Sequence, residues 1–518
     1  MTVLESYLSG KWTRGKGREA TLVNPATEEA LATTTTEGLD FKGALAFARD
    51  KGGPALRAMT FEQRGEMIRA MSKAIHAHRD ELIGLAIANG GNTRGDAKFD
   101  IDGAIGTLAF YADLGKELGA TKVLADGEDI QLGRGARLFG QHVHVPRHGV
   151  AVHVNAFNFP AWGLGEKAAT ALLAGMPVIT KPATSTALVA WRLMQLLVES
   201  KALPEGALSF IAGSTGDLLE HLGGQDVLAF TGSSFTGTTL RGGKATLANN
   251  VRVNVEADSL NAAVLGPDVE DGSDVMNQFL ADVVRDMTQK TGQKCTAIRR
   301  VYVPAAKVEQ VTEMIRERLA AVKVGDPSRE DVTMGPVATA QQLKDVRDGI
   351  GKLEAAGKLA FGSKSEVTVL GGNGKGFFQS PVLVVSTAPS KTDAVHSHEV
   401  FGPVATVVSY DGTGARAAEL VTWGGGGLVS SVYSDDKAFL EDAVLGIAPF
   451  HGRVTIGSSK IATQAMPPGM VLPSLVHGGP GRAGAGEELG GRRGLAFYMQ
   501  RTALQGDRAI LQSLSGKR

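Results

Sequence analysis

The chain has 518 residues, 43% of them hydrophobic and 21% charged, which is the make-up of an ordinary soluble globular protein with more than one core. Its 54 basic residues balance its 54 acidic ones, so general attraction to nucleic acid or to an anionic membrane is excluded. No run of apolar residues is long enough to span a bilayer, and Met1–Ser6 opens no signal segment, so a cytoplasmic protein is expected.

In chain order, residues 40–125 read as helical. Met67, Ile68, Met71 and Ile75, then Leu82, Ile83 and Ala86, recur at helical spacing, with a break at Gly90-Gly91. Residues 128–148 alternate like strands around a glycine-rich turn and predict a projecting hairpin. From 149 to 265 short apolar runs (Val150–Val154, Pro177–Thr180, Leu208–Ile211, Val227–Thr231, Val251–Val255) alternate with helical stretches at Glu166–Ala174, Ala187–Ser200, Asp217–Leu222 and Thr236–Ala248. That alternation predicts a mostly parallel sheet with right-handed crossovers, whose ligands bind beyond the carboxyl ends of the strands. A helix capped by Ser273, with Met276, Phe279, Leu280, Val283 and Met287 on one face, leads to Cys295. A second α/β segment runs to about residue 470, and the glycine-rich run His477–Gly494 precedes a strand-like tail, Leu495–Leu504. The 67 glycines, without collagen periodicity, suit the tight turns of α/β enzymes with nucleotide sites.

Several loops carry groups capable of chemistry, and each also has a plain structural reading. Cys295 is the only cysteine, so it forms no internal disulfide; it is either a small buried apolar residue or a nucleophile. Asn158, in Asn158-Phe159-Pro160, is a turn residue or an oxyanion donor. Lys181 ends a strand, either solvated or bound to ribose or phosphate. Phe230–Gly237 is a strand-turn-helix whose small residues Thr231, Gly232 and Ser233 admit a pyrophosphate to a helix N-terminus. Glu256 caps a turn or acts as a general base. Glu399-Val400-Phe401-Gly402-Pro403 is a turn into a strand, or a cofactor-orienting carboxylate followed by an aromatic wall.

Their joint order along nearly the whole chain resembles the aldehyde dehydrogenase superfamily. The resemblance implies Cys295 as nucleophile, Glu256 as general base, and Asn158 with the Cys295 backbone N–H as oxyanion donors. It implies Lys181 on the adenine ribose and Glu399 on the nicotinamide ribose, with Phe157, Ala183, Thr184, Gly213, Gly216, Thr231, Gly232, Ser233 and Phe401 also along the cofactor; no metal is implied. The fold expected is α/β: a Rossmann-like cofactor domain (1–127 and 149–260), an α/β catalytic domain (261–476) and a β-hairpin oligomerisation domain (128–148 and 477–518), assembled as a homodimer. NADP is the expected cofactor, because the position where NAD-selective members carry a Glu is the neutral Thr184. The stretches Val154–Pro160, Val255–Asn261, Gly292–Arg300 and His477–Gly484 depart from the common pattern and resemble the branch of semialdehyde dehydrogenases acting on CoA-linked substrates of aromatic catabolism. Two glycines normally follow the Glu; here Ala257-Asp258 stand in their place. The competing readings are a broad medium-chain aldehyde dehydrogenase, a CoA-acylating enzyme, which Glu256 argues against, and a non-catalytic structural oligomer.

Overall fold

A computed structural model describes residues 1–484, 486 and 489–515; Ala485, Glu487, Glu488 and the last three residues of the segment 477–518 lie outside the described residues. Two seven-stranded sheets dominate. The first has the order Arg252–Glu256, Val227–Thr231, Ala151–Val154, Val178–Lys181, Leu208–Phe210, Ser6–Leu8, Lys11–Thr13. Its first five strands are parallel, and the two from the N-terminus add antiparallel at the edge. All five parallel strands lie within a residue of the apolar runs read from sequence, because strands covered on both faces are near-continuously apolar.

The helices differ more. The expected helix Glu166–Ala174 begins earlier, at Pro160, where a proline's fixed φ and missing N–H suit a first turn. The stretch Thr236–Ala248 splits into Ser234–Arg241 and Lys244–Ala248 at Gly242-Gly243, and Asp217–Leu222 shortens to a 3-10 turn, Leu218–His221. Helices Phe61–Ala77, Arg94–Leu118 and Pro160–Leu173 form a large core over this sheet. The first two cross so closely at Gly65 and Gly115 that a Cβ on either would meet the other helix's backbone.

The second sheet has the order Lys358–Phe361, Val382–Ser386, Val404–Tyr410, Arg300–Pro304, Ala262–Leu265, Gly427–Tyr433, His451–Gly457, parallel except for its first edge strand. The expected hairpin is present as Leu124–Gln131 against Leu138–Pro146, and Met499–Asp507 adds a third antiparallel strand. The tail departs from its expected strand Leu495–Leu504: Gly491–Tyr498 is helical and the strand starts at Met499. Leu495 and Tyr498, three residues apart on one helix face, are buried in the core beneath, and that burial outweighs the strand-like composition. Residues 477–484 of the glycine-rich run pack on the loop after Glu256, where Ala257 N–H donates to Ala483 O (3.0 Å).

Candidate active site

The helix Asp274–Thr288, whose N-cap Ser273 accepts from Met276 N–H (3.2 Å), delivers the chain to a tight turn. In that turn Lys290 (φ 52°), Thr291 (φ 55°) and Gly292 (φ 66°) are all left-handed, and a Cβ at Gly292 would collide with the Gly402 carbonyl. Two non-glycine residues in this region cost about 1–3 kcal/mol each, so the surroundings must hold them. Thr291 Oγ1 donates to Gly335 O (2.9 Å), Gln293 Oε1 accepts from Ala338 N–H (3.0 Å), and buried Lys294 Nζ pairs with buried Asp286 (2.6 Å). Asn261 Nδ2 donates to both Cys295 O and Ala297 O (2.8 Å each). The thiol is therefore aimed by its neighbours on both sides.

Two segments at carboxyl ends of first-sheet strands meet it. Asn158 follows Ala151–Val154, and its Nδ2 donates to Gln293 O (3.0 Å), tying that loop to the cysteine loop. Glu256 ends its strand. Burial alone would raise its carboxyl, but His477, Lys167 and the Cys295 thiol outweigh burial and hold it down to about 2. Burial, followed by the charge of Glu256, opposes ionisation of the Cys295 thiol and pushes it up.

Cys295, Glu256 and Asn158 sit where two cavities join. The larger, of ≈ 720 Å³, is also lined by Phe157, Lys181, Ala183, Thr231, Gly232, Ser233, Glu399 and Phe401. Phe157 and Phe401 meet edge to face at 5.8 Å. Burial pushes Lys181 down to about 8 and Glu399 up to about 7, the latter despite Arg299 at 3.5 Å. The smaller cavity, of ≈ 60 Å³, lies on the far side of the thiol between Phe99, Phe159, Trp162, Glu166, Val471 and His477. Thr184, Gly213 and Gly216, also expected along the cofactor, line a further cavity of ≈ 670 Å³ together with Arg18, Glu37 and Asp217, with Thr184 one residue along the chain from Ala183 of the larger cavity.

A family model described as "Aldehyde dehydrogenase family" matches residues 12–504. This chain belongs to the aldehyde dehydrogenase family. It is 43% identical over 478 residues (92% of this chain, 93% of the relative) to 3,4-dehydroadipyl-CoA semialdehyde dehydrogenase of Aromatoleum evansii. In fold it is similar to an NAD+ complex of aldehyde dehydrogenase from Bacillus cereus, with a TM-score of 0.84 and 21% identity over 98% of this chain and 96% of that one. Lactaldehyde dehydrogenase from Escherichia coli gives a TM-score of 0.83 with 23% identity, over 98% and 99% of the two chains. The aldehyde dehydrogenase fold expected from the motif order is thus the fold observed.

Other residues of this aldehyde dehydrogenase site escape the sequence reading. His477 lies 3.8 Å from Cys295 Sγ and 3.7 Å from Glu256 Oε1, although 182 residues separate it from the cysteine. Lys167 Nζ donates to Thr231 Oγ1 (2.8 Å) on the wall shared by both cavities. Asp258, where a glycine is usual, accepts from Ser234 N–H (3.0 Å) and Ser234 Oγ (2.5 Å), so a carboxylate of the chain itself already engages that helix N-terminus. The only signal for these was negative: His477 and Asp258 stand inside stretches that depart from the family pattern.

Proposed function

We propose that this aldehyde dehydrogenase is NADP-dependent and oxidises a CoA-linked semialdehyde to the acid through a thioester on Cys295. The specific reaction we propose is 3,4-dehydroadipyl-CoA semialdehyde to 3,4-dehydroadipyl-CoA in aerobic benzoate degradation, the activity for which the Aromatoleum relative is named. One observation carries the reading: Cys295, Glu256 and Asn158 converge where a large cavity meets a small one, so that reactants from two sides reach one sulfur.

The large cavity suits a nicotinamide dinucleotide, with Lys181 and Ser233 at the strand ends, Glu399 as a hydroxyl acceptor and Phe401 as a wall. Such a cofactor, when bound, supplies the hydride acceptor. The chain supplies the rest. Cys295 attacks the aldehyde carbon, and the Asn158 amide, which keeps one N–H beyond its bond to Gln293 O, holds the oxyanion with the Cys295 N–H. Losing one such donor costs about 3–4 kcal/mol of barrier. Glu256, ionised at neutral pH, takes a proton from the water that hydrolyses the thioester. At position 184 a neutral hydroxyl stands in place of a carboxylate that would repel a 2′-phosphate, and Arg18 lines the same cavity; these support NADP over NAD against the opposing charges of Glu37 and Asp217 there. The hairpin sheet is proposed as the homodimer face, the first seven-stranded sheet as the cofactor unit and the second as the catalytic unit.

The test is kcat/KM for a CoA-linked six-carbon semialdehyde against free medium-chain aldehydes, each with NADP+ and with NAD+. The CoA-linked substrate with NADP+ is expected to lead. Equal efficiency with free medium-chain aldehydes would replace the substrate reading by a broad-specificity one, and a preference for NAD+ would remove the cofactor assignment.

A further inference from the structure

The thioester chemistry proposed above requires a thiolate, and the surroundings of Cys295 oppose one. The sulfur is partly buried, and the carboxyl groups nearest it, Glu256, Glu166 and Glu399, all disfavour negative charge there. A cation or a base must therefore act on the thiol. Three cations near it direct hydrogen bonds to other groups, although Nε of Arg453 and of Arg299 keeps no hydrogen-bond partner. Lys167, on helix Pro160–Leu173, donates to Thr231; Arg453, on strand His451–Gly457, donates to Pro468 O (2.6 Å) and Leu475 O; Arg299 donates to Gly402 O and Lys294 O beside Glu399.

His477 is different. Its side chain is 3% exposed, and Nε2 lies between the two reacting groups, 3.8 Å from Cys295 Sγ and 3.7 Å from Glu256 Oε1. The ligand atoms of the three residues all lie within 4.8 Å of one another. Histidine is the side chain that accepts and releases a proton near neutral pH, and a cysteine paired with a histidine is an established way to make a reactive thiolate.

We propose that His477 is a catalytic residue that takes the Cys295 proton, giving a thiolate–imidazolium pair which the Glu256 carboxylate steadies from its other side. The S–H bond breaks with its electron pair left on sulfur, an N–H bond forms at Nε2, and no oxidant or further reactant is involved. This assignment rests on the reading of Cys295 as nucleophile, and it frees Glu256 to serve the water. It also gives a chemical reason for a histidine in a stretch, His477–Gly484, that departs from the wider family.

Because Cys295 is the only cysteine, alkylation by iodoacetamide reports on this one thiol without background. Its rate, together with the ultraviolet absorbance of the thiolate, is followed against pH in the wild-type protein, in His477→Asn and His477→Gln, and in Glu256→Gln. Burial and the Glu256 carboxylate by themselves push the thiol up; if the imidazolium offsets them, the wild-type thiolate should be present below the ordinary thiol range. In both His477 variants the midpoint should rise by at least about one unit, slowing alkylation at neutral pH at least about tenfold, with the thermal midpoint nearly unchanged. A purely structural role would move the thermal midpoint and leave the pH profile in place. The proposal is overturned if the wild-type thiolate forms only above the ordinary range, a result that needs no variant to fold, or if Glu256→Gln raises the midpoint while the His477 variants do not. Turnover retained by Cys295→Ala would instead sink the nucleophile reading on which the assignment rests, an outcome distinct from an unchanged pH profile in the His477 variants.

Discussion

Glu256 and Cys295 face each other across His477, and their surroundings move them in opposite directions: the carboxyl is held low by neighbouring cations and donors, while the thiol is raised by burial and by that same carboxylate. The carboxylate is thus always available as a base near neutral pH, whereas the thiol requires assistance. Glu256→Gln should therefore impair thioester hydrolysis more than acylation of Cys295. Rapid-mixing kinetics should show one fast burst of reduced cofactor, close to one per site, followed by a slow steady state. Equal loss of both phases would mean that Glu256 also activates the thiol. Lys181 is the second residue with a checkable titration. Burial lowers it to about 8, so within the folded protein its charge is present below that pH and lost above it. If Lys181 holds the dinucleotide by charge, NADP+ affinity should fall as pH rises through about 8, and Lys181→Met should weaken binding and flatten that dependence. The sign for stability is the reverse: a lysine depressed from 10.5 leaves the folded state with fewer protons than the unfolded chain between about 8 and 10.5, so its unfavourable contribution lessens as pH rises through that window.

At the level of elements, the decisive one is the loop from Gln289 to Cys295. The helix before it was legible from periodicity and from its Ser273 cap, because both are local. The loop was not, since its left-handed Thr291 is held by Gly335 and Pro336 and its Gln293 by Ala338, residues 40 or more positions away. Buried Lys294 and Asp286 anchor its end, with side chains 1% and 0% exposed. Lys294→Met leaves the Asp286 carboxylate buried without its cation and should cost about 3–5 kcal/mol, read as a fall in the denaturation midpoint. Lys294→Met combined with Asp286→Leu should recover most of that loss; no recovery would show that the pair does not act as a unit. The same contrast between local and distant causes explains the tail. Alternating composition suggested a strand from Leu495, but contact with the core selects a helical turn through Tyr498, whose hydroxyl lies 3.2 Å from His153 Nε2.

At the scale of the whole molecule, the hairpin Leu124–Pro146 is completed by a strand from the far end of the chain, and the sheet carries Ile130 (50% exposed) and Leu138 (49%) near Ile510 (61%) and Leu514 (60%) of the final helix. So many large apolar side chains at one edge suit a face covered by a second copy. Analytical ultracentrifugation should show a dimer, and Ile510→Asp combined with Leu514→Asp should shift it to monomer without unfolding the two large sheets; a wild-type monomer would sink the reading. Composition, periodicity and motif order sufficed for the α/β class, the parallel strands and the aldehyde dehydrogenase family, because buried strands, helix faces and glycine turns are written in neighbouring residues. Cys295, Glu256 and Asn158 could likewise be singled out in sequence, since each ends or follows a predicted element. Only the tertiary structure decided that His477 stands between the thiol and the carboxylate and that Asp258 engages a helix N-terminus. Those facts depend on loops from distant parts of the chain meeting beyond the ends of two sheets, where the contacts are set by packing rather than by local pattern.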